Sequence, residues 1–415
     1  MTEKFTFPGD FLWGTASAAH QVEGGNVNSD AWLLEHVAGS PYVEPAGDAC
    51  DHYHRYPQDI ALIAALGFNC YRFSIEWARI EPEEGEFSRA ALEHYRRMLA
   101  ACHDNGLTPI VTYHHFTSPR WFAAKGGWEV LENADYFVRY CERATAHLGD
   151  LIGAACTLNE PNVGLLIQQM GYMQPDSVLA NAPYRAAAAK AAGSAMFSAF
   201  PQCLQAPARD TLLKAHPLAV AAIKAGRGSF PVGLTLALSD HQAVDGGEAT
   251  RDRMRQAIDD VFLDVTGQDD FVGVQTYTRT RFGAQGILPP EPGVELTQMG
   301  YEFWPEALEA TMRYTASYSG KPVLVTENGI GTEDDTQRIA YIARALQGVR
   351  RCLQDGIHVR GYCYWSIFDN FEWTMGYRPK FGLIAVDRET QKRTLKPSAA
   401  WLGAIARANA LESVS

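Results

Sequence analysis

The chain has 415 residues, 47% of them hydrophobic and 20% charged, with a formal net charge of −12 at pH 7. That apolar content supplies a large core and excludes a globally disordered chain. The acidic balance argues against a nucleic-acid backbone or an anionic membrane surface as partner, since each needs a basic face. Residues 1–10 hold no apolar segment of signal-peptide type, and no apolar run is long enough to span a bilayer. Eight cysteines (50, 70, 102, 141, 156, 203, 352 and 363) are scattered without a C-x-x-C pair. They read as reduced, buried thiols, and a cytoplasmic protein is expected.

Short apolar runs alternate with longer amphipathic stretches along the chain. Residues 11–16 predict a first strand. A helix over 56–66 stops at Gly67, and a strand follows over 69–75. The next helix, 88–105, opens on Ser88 and stops at Gly106; a strand over 108–115 follows it. A helix over 134–148 precedes an apolar strand that begins near Leu151 and closes on Asn159-Glu160-Pro161, where proline ends the ladder. Residues 163–205 are irregular and Ala-rich, an expected insertion with a helical piece over 186–195. Then come a helix over 211–225, a strand over 231–238, a helix over 249–265, a strand over 271–277 and a helix over 305–318. The run Val323-Leu324-Val325-Thr326-Glu327-Asn328-Gly329 predicts a strand buried on both faces and halted by an Asn-Gly turn. A helix over 335–355 takes the acidic residues 333–335 as its solvated first turn. A strand over 359–366 and a helix over 396–409 complete the alternation, and the tail 411–415 is expected to fray.

Eight strand–helix pairs without a linker rich in Pro, Gly or Ser predict one α/β domain over residues 1–415. The architecture expected is a single (β/α)8 TIM barrel with its active site at the C-terminal ends of the strands. An open doubly wound sheet is the weaker alternative, because no Gly-rich dinucleotide turn follows any strand.

In a barrel the strand ends converge. They would bring together Gln21 and Glu23, Arg72, His115, Asn159 and Glu160, Gln275 and Tyr277, Glu327, Trp365, and the loop residues Glu372 and Trp373. A lone strand-end glutamate is usually a salt-bridged structural group. Two of them, each delivered to a turn, are what glycoside hydrolysis requires: one acid/base, one nucleophile or second base. The remaining amides, imidazole and indoles suit sugar hydroxyls and the apolar face of a sugar ring. No Lys/Arg cluster offers a phosphate site. Asp51-His52-Tyr53-His54 and His114-His115 lack a third ligand at metal spacing, so helix start and packing are preferred there, and no metal or cofactor is expected.

Four stretches carry a resemblance: residues 11–24 (FLWGTASAAHQVEG), Thr157-Leu158-Asn159-Glu160-Pro161, Val325-Thr326-Glu327-Asn328-Gly329, and residues 365–373 (WSIFDNFEW). Together, and in this order, they closely resemble glycoside hydrolase family 1, the retaining β-glucosidases and β-galactosidases on a (β/α)8 barrel. The resemblance implies Glu160 as acid/base, Glu327 as nucleophile and Asn159 as the partner of the sugar 2-hydroxyl. It implies Gln21, His115, Glu372 and Trp373 as contacts of the remaining hydroxyls, with Trp365 as the platform under the ring. Arg72 and Tyr277 resemble the groups that touch the nucleophile.

Departures from the family pattern lie mostly on the leaving-group side. Gln275-Thr276 replaces the usual Asn and the first tyrosine of a pair, His115-Phe116 stands for His-Trp, and Met299-Gly300-Tyr301 stands for Met-Gly-Trp. The stretch 171–205 does not match the common loop. Gln275 and Tyr301 are therefore read evenly as substrate contacts and as packing. Glu372-Trp373 speaks against a 6-phosphoglycosidase, because a carboxylate near the sugar 6-position repels a phosphate. The implied function is an exo-acting, retaining β-glycosidase acting on a terminal β-glucosyl residue, with galactosyl and fucosyl as further candidates. Its partner would be a small-molecule β-glycoside or oligosaccharide. A non-catalytic sugar-binding protein on the same barrel is one alternative, against which both glutamates, Asn159 and Tyr277 are retained. A transglycosidase, using the same residues, is the other.

Overall fold

The computed structural model describes residues 4–169, 183–200 and 206–412. Its centre is a closed parallel barrel of eight strands: β1 (Leu12–Ala16), β2 (Cys70–Ser74), β3 (Thr108–His114), β4 (Ala154–Asn159), β5 (Val232–Ala237), β6 (Phe271–Gln275), β7 (Val323–Asn328) and β8 (Val359–Trp365). Neighbours in sequence are neighbours in the barrel, and β8 closes onto β1 through Gly361↔Leu12 to Trp365↔Ala16. The main helices of the outer layer are α1 (His52–Leu66), α2 (Arg89–Asp104), α3 (Ala134–Leu148), α4 (Ala206–Ala225), α5 (Glu248–Arg255), α6 (Ala307–Ser319), α7 (Asp335–Gln354) and α8 (Pro397–Ala408).

Local sequence explains these elements. Ser88 caps α2 by accepting from the Ala91 amide, and the buried stripe Leu92, Tyr95, Leu99 and Cys102 has helical spacing. Phe137, Tyr140, Cys141, Ala144 and Leu148 do the same for α3. Asp334 caps α7 by accepting from Thr336 and Gln337, as the acidic run predicted. Gly67, at φ +103°, terminates α1 in a left-handed turn.

Two cores result. Bulky side chains such as Trp13, Tyr71, Phe73, Tyr113, Val325 and Tyr362 fill the layer between strands and helices. A smaller set, including Ala16, Cys70, Ile110, Cys156, Leu324 and Cys363, fills the barrel itself.

Several boundaries differ from expectation. α1 starts at His52 rather than 56, accommodating Pro57 internally. α4 starts at Ala206 and also contains a proline, Pro217. The Ala-rich piece expected over 186–195 is a helix over Pro183–Ala191, ending just before Gly193 at φ +67°. The helix expected over 249–265 is broken by a π turn at Gln256–Asp260. The ladder of β6 ends at Gln275, leaving Thr276 and Tyr277 beyond it. The tail does not fray at once: Ala410–Glu412 pairs antiparallel with Lys4–Thr6, and Leu411 is buried. An additional sheet, Asp240–Ala243 with Arg279–Gly283 and Gly286–Ile287, was not foreseen. Much of the unmatched stretch 171–205 lies outside the described residues.

Candidate active site

Strict alternation along the strands would turn Asn159 and Glu327 away from the barrel mouth. In β4, Ala154 and Cys156 face the barrel interior while Ala155 faces the helices, so a two-residue period would send Leu158 inward and Asn159 outward. Instead Leu158 joins the outer core, and the β4–β5 register shifts between Cys156 and Asn159. In β7, Leu324 faces inward and Val323 and Val325 outward, and the β7–β6 register shifts between Val325 and Glu327. Each irregularity reverses the parity and aims Asn159 and Glu327 into the barrel mouth. Glu160 then leaves the ladder at φ +45°, a left-handed conformation that costs on the order of 1–3 kcal/mol for a non-glycine residue.

Glu327 is the most tightly held of the converging groups. Arg72 Nη1 donates to its Oε1 at 2.5 Å and the Tyr277 hydroxyl to its Oε2 at 2.6 Å. The second Arg72 nitrogen donates to Asn159 Oδ1 at 2.6 Å. The same oxygen also accepts from Gln275 Nε2 at 2.9 Å and Thr235 Oγ1 at 3.4 Å. With its oxygen thus saturated, the Asn159 amide orientation is fixed, and its Nδ2 donates to His115 Nε2 at 3.3 Å. Burial and the Arg72 charge hold the His115 imidazole well below its usual pKa, so it is neutral. Accepting at Nε2, it carries its proton on Nδ1, a buried atom without a partner.

Glu160 forms no ion pair with any described residue. Burial, then the Glu327 charge, push its carboxyl well above the ordinary range, with Arg72 opposing. Burial raises Glu327 as well, against the pull of Arg72 and of the Tyr277 hydrogen bond. Only Glu327 has a cation in contact, so Glu160 is the carboxyl that keeps its proton longer. Glu372 is pushed up to about 8, mainly by burial, while hydrogen bonds from Asn370 and Trp365 draw it down.

Gln21 donates its amide to the Phe371 carbonyl at 2.7 Å, which leaves Oε1 buried and unpartnered. Gln275 Oε1 is likewise without a partner. Trp365 lies near-parallel to His115, with centroids 5.6 Å apart and a 15° tilt, and the half-buried Trp373 ring is within 11° of the His115 plane. Tyr301 lies on the Tyr277 side, near enough to contribute to the raised pKa of the Tyr277 hydroxyl, and Met299 and Tyr277 both pack against the apolar cluster that fills the barrel. Glu23 stands apart: Arg79 and Tyr95 hold its carboxylate in a separate buried cluster.

The residues read from sequence are thus brought together, except Glu23. Sequence reasoning passed over their supports. Thr235 braces Asn159, Asn370 donates to Glu372 Oε1 at 3.0 Å, and His20 lies against Trp373. Asn370 and His20 sit inside the quoted motifs, and that adjacency was the available signal. Among the described residues no group of three or more His, Cys, Asp or Glu side chains is placed to hold a metal ion.

Residues 3–290 and 276–411 match the pattern of Glycosyl hydrolase family 1. The chain is 31% identical to Beta-glucosidase A of Acetivibrio thermocellus, an alignment covering 98% of this chain and 99% of that one. Among solved structures, beta-glycosidase BGL167 is similar with a TM-score of 0.93 at 55% identity, covering 99% of each chain. The family 1 β-glucosidase from Thermotoga maritima in complex with isofagomine lactam is similar with a TM-score of 0.85 at 27% identity, covering 99% of this chain and 100% of that one. Motifs, barrel and relatives agree: the chain belongs to glycosyl hydrolase family 1 and is an O-glycosyl hydrolase.

Proposed function

We propose that the protein is an exo-acting, retaining β-glycosidase that removes one terminal β-D-glucosyl residue, and by the same contacts β-galactosyl or β-fucosyl, from a small glycoside or oligosaccharide. The observation that carries this reading is the unequal treatment of the two carboxyls. Arg72 and Tyr277 grip Glu327, while Glu160 faces burial and a neighbouring charge without a cation of its own. Glu327 is the nucleophile and Glu160 the acid that protonates the leaving oxygen. Once Glu327 is glycosylated its charge is gone, and Glu160 serves as base toward water.

Asn159 Nδ2 is the donor to the 2-hydroxyl. The unpartnered atoms His115 Nδ1, Gln21 Oε1 and Gln275 Oε1 supply one donor and two acceptors, a set suited to hydroxyls. Glu372 and Trp373 hold the far side of the ring and Trp365 lies beneath it. Tyr301, on the Tyr277 side, borders the leaving group. The seven described cysteines are free and buried, in keeping with a reducing, cytoplasmic setting.

Replacing Glu327 with alanine is expected to abolish hydrolysis and to leave Arg72 uncompensated, costing about 3–5 kcal/mol of stability. Azide added to this variant should yield the α-glycosyl azide. Turnover persisting in the folded variant would refute the assignment. Glu160→Ala should slow glycosides with poor leaving groups far more than nitrophenyl glycosides, and equal losses on both would count against Glu160 as the acid. The pH profile is expected to be bell-shaped, rising as Glu327 ionises and falling as Glu160 loses its proton.

A further inference from the structure

We propose that His20 and Glu35 are positioning residues for Trp373, and that this pair sets how sharply the site separates β-glucosides from their galacto epimers. The inference rests on the reading that Trp373 borders the sugar. His20 is buried in the short helix Ala19–Val22, and its Nε2 lies 2.6 Å from Oε1 of Glu35 in the helix Asp30–His36. The other Glu35 oxygen accepts from the Ala46 amide at 3.0 Å. Asn26 Nδ2 donates to His20 Nδ1 at 3.1 Å. Both ring nitrogens are therefore engaged and the imidazole cannot turn.

Its plane lies within 8° of the Trp373 indole, with centroids 5.5 Å apart. Trp373 itself sits in a single 3-10 turn at φ +51° and is half-buried, so its backbone is a poor anchor for the ring. Trp365, His115, Trp373 and His20 form a row of near-parallel rings, tilted 15°, 11° and 8° from one to the next. Asn159 holds this row at His115, on one side of Trp373; Glu35 holds it at His20, on the other. No described contact joins Glu35 to the reacting groups. A buried histidine–carboxylate pair is weak as a source of stability because both partners are desolvated. What this pair does supply is a defined ring plane beside Trp373.

The test compares Glu35→Gln, which keeps size, and His20→Phe, which keeps a ring but loses the bond, with the parent enzyme and Trp373→Phe. KM and kcat are measured on nitrophenyl β-glucoside and β-galactoside, and thermal melts confirm folding. In both variants KM for the glucoside should rise about fivefold with kcat within about threefold, and the glucoside-to-galactoside ratio of kcat/KM should fall about fivefold. The Trp373 emission, taken as the difference between each variant and the same variant carrying Trp373→Phe, should shift to the red as the ring gains water. Unchanged emission and an unchanged ratio in both variants overturn the proposal. A shifted emission with an unchanged ratio, where Trp373→Phe alone alters that ratio, overturns the specificity role. Failure of Trp373→Phe to alter glucoside KM overturns instead the placement of Trp373 at the sugar, while the emission arm still decides the positioning.

Discussion

Arg72 illustrates how one side chain organises the site. It is wholly buried, yet both terminal nitrogens are matched to oxygens of the two strands that carry the glutamates. One contact favours ionised Glu327, and the other orients Asn159, which in turn fixes the His115 tautomer. Glu372 offers a measurable consequence at the same scale. Its carboxyl is raised to about 8 in the fold, above its ordinary value of 4.5, so the folded state binds a proton more tightly than the unfolded one. Stability from this group is present at low pH and is lost as pH rises from about 4.5 to about 8, each unit being worth about 1.4 kcal/mol. Glu372→Gln removes that loss. It should raise Tm relative to the parent at pH 8.5, change it little at pH 4.5, and weaken glucoside turnover. Melts showing the same difference at both pH values would refute the assignment of the shift to Glu372.

Among elements, β1 shows how close the interior strands approach. Gly14 lies between Cys363 of β8 and Cys70 of β2 in the register, and the two thiols meet at 3.9 Å. A Cβ on Gly14 would collide with Cys70 Sγ and come within 2.7 Å of the Cys70 carbonyl oxygen. Gly14→Ala is therefore expected to cost about 1–3 kcal/mol through overpacking. Pairing it with Cys70→Ala, which relieves the contact to sulfur but not to the carbonyl, should restore part of the loss in denaturant melts. Full independence of the two substitutions would show that the contact is not the cause.

The whole molecule is tied at its ends. The pair Lys4–Thr6 and Ala410–Glu412 covers the floor of the barrel's aromatic layer, where Phe7, Phe11 and Trp13 cluster and Trp13 Nε1 donates to Asn409 Oδ1. Truncation after Asn409 should lower Tm while kcat on nitrophenyl β-glucoside, measured below the new transition, stays near that of the full chain. A kcat that falls in parallel with stability would instead tie this seam to the site.

The apolar periodicity, the helix caps and stops, and the two glutamates at strand ends were legible without coordinates, because they depend on local spacing and turn chemistry. From them followed the order of eight strand–helix units, the barrel, and a set of converging side chains. The reversal of side-chain parity at Asn159 and Glu327 was not legible. Composition does not announce a one-residue register shift, which arises from pairing with strands distant in sequence. The braces of the site were equally hidden: Glu35 meets His20, and Gln275 and Thr235 meet Asn159, only once the barrel closes. Residue types and their order were thus determined by the sequence alone. Which face Asn159 and Glu327 take, and what fixes the protonation and orientation of the converging side chains, was decided by tertiary packing, since both depend on neighbours brought from elsewhere in the chain and on their exclusion of water.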